Sequence, residues 1–160
     1  MRQEKPWAAG VLFYQEVQVL GKGKEAAVLL QKRTHDVPFF PCTWGIFGGH
    51  SEEKDRSPLD TARREITEEL EGADLMVPTQ LLLQTKIFSP LKRQVVPVIL
   101  YVMELAVGLE RLRLKRTNGC VESAGFALFI EEEIGSLRMT ADVREGVSAF
   151  FEWRKRGEGA

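Results

Sequence analysis

Residues 48–70 read GGHSEEKDRSPLDTARREITEEL, a paired glycine turn and an acidic loop running into a segment that carries Arg64, Glu65, Glu68 and Glu69. Ser57 suits the capping position, Pro58 the first helical position, and Asp60 completes a capping-box-like pair with Ser57. Leu59, Ala62, Ile66 and Leu70 are spaced three, four and four apart, which predicts an amphipathic helix with that stripe against the core. At ~100° per residue, Glu65, Glu68 and Glu69 fall within an arc of about 100° beside the stripe, and Glu65 and Glu69 stack as an i, i+4 pair. Like charges so placed cost roughly 0.2–0.5 kcal/mol per pair. They also lie towards the negative end of the helix, where the macrodipole disfavours acids by about 0.3–1 kcal/mol. Helix stability does not explain these residues, whereas a bound divalent cation does. A solvated acidic face is the competing account.

Arg64-Glu65-Ile66-Thr67-Glu68-Glu69, with Gly48-Gly49 and an acidic loop ahead of it, resembles the signature of the Nudix hydrolase family. The resemblance is specific over residues 44 to 72 and general elsewhere. Two departures stand out. Arg64 arrives one residue late relative to the glycines, so the acid the signature expects in the loop is Asp55, or else Arg56 stands in its place. Glu71 occupies the position of the glycine that follows the Glu-Glu pair, and Gly72 comes one residue later.

By match to the signature, the resemblance implies that Glu68 and Glu69 are principal metal ligands, that Glu65 is a further ligand or the water-activating base, and that Gly48 or Gly49 supplies a carbonyl. Arg64 is expected to hold the glutamates in position through its fork of donors. Clustered hard oxygen ligands favour Mg²⁺, with Mn²⁺ able to substitute. Such an ion screens a diphosphate and lowers the pKa of a bound water, so hydrolysis of a phosphoanhydride is the expected reaction. The resemblance further implies, as substrate, a nucleoside diphosphate linked to another group, with release of a monophosphate.

Bulk properties narrow the setting. The 160 residues correspond to a single domain over 1–160, and 44% hydrophobic with 28% charged residues is ordinary for a globular protein. A net charge of −1 offers no field for a nucleic-acid polymer or an anionic membrane, so a small anionic ligand would be held by a local site, and the resemblance implies that this partner is a small nucleotide. Cys42 and Cys120 are far apart and in no metal-ligand spacing; two free thiols suit a reducing cytoplasm. The N-terminal residues lack a long apolar run, and no stretch approaches the ~20 apolar residues of a membrane span. Dimers occur in the family, and the sequence leaves the oligomeric state open.

Elsewhere, strands are expected at Ala8–Tyr14 and Ala26–Gln31 around a Gly21-Lys22-Gly23 turn, at Trp44–Phe47, Leu81–Phe88, Val95–Leu105 and Phe126–Ile130, with a closing helix over Ala141–Arg154. Pro97 implies an edge or bulge in its strand. Two helices among such strands predict an α+β fold, and the family implies an α/β/α sandwich on a mixed sheet. Arg111, Arg113, Lys115 and Arg116 alternate with Leu112 and Leu114, as in an exposed strand edge guarded by positive charge.

Further site candidates each carry a plainer reading. Arg33, with Lys32, ends an apolar strand and could meet phosphates, as could any solvated strand end. Trp44 could stack on a base or anchor the core. Glu52 and Glu53 could reach the metal or simply be solvated, Glu122 could act as base from outside the box, and His50 neighbours Gly49. Two other functional classes stay open: a non-catalytic nucleotide-sensing module, and another enzyme on the same helix, such as an isomerase or an RNA-end pyrophosphohydrolase. No motif selects among substrates.

Overall fold

The computed structural model describes residues 6–37, 39–73, 79–115 and 123–157. Its centre is β1 (Ala8–Val19), whose first half is apolar at nearly every position. Such a run has no alternation because both faces are covered. Ala9, Val11 and Phe13 enter one core with Phe47, Ala62 and Ile66, while Leu12 and Tyr14 enter a second with Val147, Phe150 and Trp153. The first core lies under α1 (Pro58–Glu69) and the second under α3 (Ala141–Lys155), so the sheet is sandwiched between helices.

The strands are β2 (Gly23–Arg33), β3 (Trp44–Gly45), β4 (Phe47–His50), β5 (Leu70–Glu71), β6 (Thr79–Ser89), β7 (Gln94–Glu104), β8 (Arg113–Leu114) and β9 (Ser123–Ile130). The main sheet runs β3-β2-β1-β7-β6, with β4 also on β1 and β9 also on β2. It is mixed, since β1 and β7 are parallel and its other pairings antiparallel. Along β1, residues Tyr14 to Val19 pair with β2, but Ala8 to Val11 pair with β4. The sheet therefore divides midway along β1, and the cleft described below is lined from both branches.

Several expectations need correction. Gly48 and Gly49 do not form a turn: they lie in β4, opposite Gly10 and Ala9 of β1. Their small size serves close approach. A Cβ on Gly48 would lie 2.3 Å from the Ala9 carbonyl oxygen, and one on Gly49 would lie 2.5 Å from the Glu65 carboxyl. Arg113 and Leu114 pair with Leu70 and Glu71 in a small two-stranded sheet, where Arg111, Arg113 and Lys115 are exposed and Leu112 is buried, as the alternation of a charged strand edge requires. Lys115 also donates its backbone N–H to Glu69 O at 2.8 Å and its ammonium to Thr67 O at 2.8 Å, tying down the end of α1. A one-turn helix, α2 (Glu131–Ile134), and a 3₁₀ turn at Leu109–Arg111 add to the two helices expected.

The hairpin strands extend beyond the apolar cores that predicted them, because their outer ends are held by ladder hydrogen bonds and not by burial. Pro97 sits one residue before β1 begins pairing with β7, so β6 is its neighbouring strand there, and the register shift falls at Leu81/Leu83. Among the described residues, no helix is long and apolar enough to cross a membrane. Arg116, Cys120 and Glu122 lie outside the described residues.

Candidate active site

The helix that carries the acids begins where its sequence says. Ser57 has extended backbone and its side chain accepts the Asp60 N–H at 3.2 Å, with Pro58 at the first helical position. Ala62, Ile66 and Leu70 are buried as the stripe requires, and Thr61 is buried beside them.

Arg64 is the hub of the site. Its Nε and Nη2 donate to the two oxygens of Asp55 at 3.0 and 2.8 Å, and Nη2 also donates to the His50 carbonyl at 3.0 Å. Its Nη1 faces Glu65 Oε1 at 3.0 Å, Glu52 Oε1 at 3.2 Å and Glu68 Oε2 at 3.4 Å. Asp55, 5% exposed, also accepts the Thr61 hydroxyl at 2.8 Å and the Glu52 N–H at 2.9 Å. The Arg64 guanidinium holds the Asp55 carboxyl well below the usual carboxylate range against the opposing effect of its own burial. This settles the loop alignment: Asp55 fills the acidic position, whereas Arg56 is exposed and its N–H donates to Asp60.

Glu65 and Glu69 come together, their carboxyls close enough to share a hydrogen bond. Burial pushes the Glu65 carboxyl up, against the lowering effects of the hydrogen bond with Glu69 and the nearby Arg64 guanidinium. Glu69 Oε2 also accepts from Gln31 Nε2 at 3.0 Å. Glu68 is turned towards Arg64 and its side chain is 39% exposed. Among the described residues, no group of three or more His, Cys, Asp or Glu closes around one point in a metal-ligand arrangement. The contact between Glu65 and Glu69, with Glu68 one hydrogen bond away through Arg64, is what the helix assembles.

These carboxylates line a cleft of about 710 Å³ that also takes in Gly48, Gly49, Arg33 and Trp44. Arg33 donates Nε to the Phe39 carbonyl at 3.2 Å, and Trp44 packs edge-on against Phe129, with 4.7 Å between ring centroids. Trp44 thus anchors the core and borders the cleft at once. Glu52 is tied to Arg64, while Glu53 is exposed. A second hollow of about 630 Å³, bounded by Gln80 to Leu83 and Glu152, shares none of these residues.

Three contributors escape sequence reasoning. Gln31 is read there only as a strand residue, and Ser89 and Thr61 carry no motif. Ser89, fully buried, meets His50 Nε2 at 2.9 Å across the cleft wall, and burial followed by the Lys92 charge pushes the His50 imidazole down towards its neutral form. Only the tertiary fold brings these pairs together, since 39 residues separate His50 from Ser89.

The family model for the NUDIX domain matches residues 5–118. No curated protein sequence matches the chain. Among solved structures, the chain is similar to a Nudix hydrolase of Listeria monocytogenes, at 20% identity and TM-score 0.71 over 96% of this chain and 97% of that one. It is also similar to the NUDIX domain of Shewanella oneidensis NrtR, solved with ADP ribose, at 15% identity and TM-score 0.67 over 94% and 89%. A Caenorhabditis elegans Ap4A hydrolase matches at 17% identity and TM-score 0.66 over 92% and 96%. At these identities the structural likeness establishes the fold.

Proposed function

The chain belongs to the Nudix family, and on that premise we propose that it is a divalent-metal-dependent hydrolase of a nucleoside diphosphate linked to a further group, releasing a monophosphate. The observation that supports this most is the Glu65–Glu69 pair, two buried-side carboxyls forced into contact on an Arg64 frame inside the cleft. Two acids sharing a hydrogen bond need a proton or a cation between them. The oxygen donor set is hard, and the bare backbone of Gly49 leaves the Glu65 carboxyl room that a Cβ would take. The residues therefore fit Mg²⁺, with Mn²⁺ as substitute, held by Glu65, Glu69 and Glu68 with a backbone carbonyl from Gly48 or Gly49. Such an ion supplies charge neutralisation of the diphosphate and an acidified water.

The chain's own part is positioning and proton transfer. Arg64 orients Glu65 and Glu68, and Asp55 orients Arg64. Glu65 is a further ligand or the base that accepts the proton of an attacking water. Arg33 and Trp44, on the opposite branch of the sheet, flank the nucleoside end. The near-neutral chain favours a small nucleotide over a polymer, and the similar structures solved with ADP ribose and of an Ap4A hydrolase are in keeping with that.

A second reading, a non-catalytic nucleotide-binding module, draws on one observation: among the described residues no three acids converge on a point. A panel of nucleotide derivatives with Mg²⁺ and Mn²⁺, scored for monophosphate against pyrophosphate release, separates the two. Monophosphate release abolished by chelation supports the hydrolase. Saturable nucleotide binding without turnover on either metal supports the module.

A further inference from the structure

We infer that Gln31, on β2, is a positioning residue that holds Glu69 in its metal-binding orientation from the sheet side; the inference rests on the metal role proposed above. Gln31 Nε2 donates to Glu69 Oε2 at 3.0 Å, and its second hydrogen is directed towards the Ile46 carbonyl at 3.5 Å. The amide lies between two acceptors, one on the helix and one on the sheet side, which fixes its own rotation.

The placement follows from the strand. Leu29 and Leu30 are fully buried, and two residues beyond Leu29 the sheet has divided, leaving Gln31 opposite Gly45 of β3 and Phe126 of β9. Gln31 lines the same cleft as Glu65, Glu68 and Glu69.

The residue type matters as much as the place. Glu69 is the last residue of α1, where the helix macrodipole disfavours an anion, so a donor there offsets a local cost. A lysine or arginine would supply that donor but would also occupy the carboxylate with its own positive charge and compete with a cation. An amide adds a hydrogen bond without neutralising the carboxylate. The pair is then held from two sides, Glu65 by Arg64 on the helix and Glu69 by Gln31 on the sheet. Groups that orient a ligating carboxylate in this way typically change metal affinity by about 10–100-fold when removed.

The test uses the full chain and two variants. Gln31→Leu removes the donor at similar volume, and Gln31→Asn keeps the amide but shortens its reach by one methylene. Mn²⁺ binding without substrate, followed by electron paramagnetic resonance, should weaken about 10–100-fold in both, with a thermal midpoint in chelator close to wild type. The Mg²⁺ concentration for half-maximal hydrolysis should rise by a matching factor while turnover at saturating Mg²⁺ is largely retained. In a Glu69→Gln background, Gln31→Leu should cost little further affinity, because its effect passes through Glu69. Mn²⁺ affinity within about twofold of wild type in both variants overturns the positioning role alone. A wild-type protein that binds no Mn²⁺ overturns the metal reading and this inference with it.

Discussion

Asp55 grips Arg64 along one edge of the guanidinium, taking Nε at 3.0 Å and Nη2 at 2.8 Å, and thereby leaves Nη1 facing the glutamates. Asp55 is in the loop and Arg64 in the helix, so one buried ion pair sets both the entry of α1 and the aim of its acids. With the Asp55 side chain 3% exposed, deleting it removes the bidentate partner of Nε and Nη2 and leaves Arg64 only the carboxylates that face Nη1. Asp55→Ala should destabilise the protein by about 3 kcal/mol in urea denaturation, the low end for breaking a buried pair, and lower turnover as well. A variant with wild-type stability would remove Asp55 from the frame.

The same pair predicts an acid limb of stability. A carboxyl whose folded pKa is depressed contributes stability that is present above its unfolded value, near 3.8, and is lost as pH falls through the folded value. The unfolding midpoint of the wild type should therefore drop steeply below about pH 4. Asp55→Asn should be less stable at neutral pH and show a shallower drop, measured by thermal scans in chelator.

Glu65 carries the opposite sign. Burial raises its carboxyl above the ordinary value of 4.5, so the stability it contributes is full below that value and is lost as pH rises through its folded pKa. In chelator, the wild-type midpoint should fall as pH increases from about 4.5, and Glu65→Gln should flatten that slope. Added Mg²⁺ should raise the midpoint, and more so at higher pH, because binding displaces a proton.

The catalytic expectation is sharpest at Glu69. Glu69→Gln preserves shape and should leave the circular dichroism spectrum and thermal midpoint near wild type, while turnover falls at least about a hundredfold through loss of a charged ligand. Near-normal hydrolysis would take Glu69 out of the mechanism.

Gly48 and Gly49 separate structure from function. A Cβ on Gly48 meets the backbone of β1, with Ala9 O at 2.3 Å, whereas one on Gly49 meets the Glu65 carboxyl at 2.5 Å. Gly48→Ala should lower the thermal midpoint more than Gly49→Ala, and Gly49→Ala should lower turnover at nearly unchanged stability. Equal effects of the two on both measurements would contradict this division.

How far these features could be read from the sequence depends on the range of the interaction involved. The start of α1 was legible at Ser57 and Pro58 because capping is decided within four residues, and its core stripe was legible because burial follows a 3.6-residue period. The α1–sheet–α3 sandwich followed from apolar runs and the family resemblance, and both cores bear it out. The two glycines misled: their doublet reads as a turn, yet each is needed for contact with a residue distant in sequence. The alternation over Arg111–Lys115 was legible, since a period of two is set within the strand itself: Leu112 is buried while Arg111, Arg113 and Lys115 are exposed. Asp55 was one of two alternatives until its contacts with Arg64 and Thr61 decided between them. Gln31 and Ser89 had no local signal, because their partners stand 38 and 39 residues away.

The central claim is that a divalent ion takes the place of the Glu65–Glu69 hydrogen bond. Crystals of the wild-type protein equilibrated with Mn²⁺ and measured near the manganese edge test it directly. The account predicts an anomalous peak between the two carboxylates, with their mutual hydrogen bond gone. Carboxyls still hydrogen-bonded to each other at saturating Mn²⁺, with no peak between them, would contradict it.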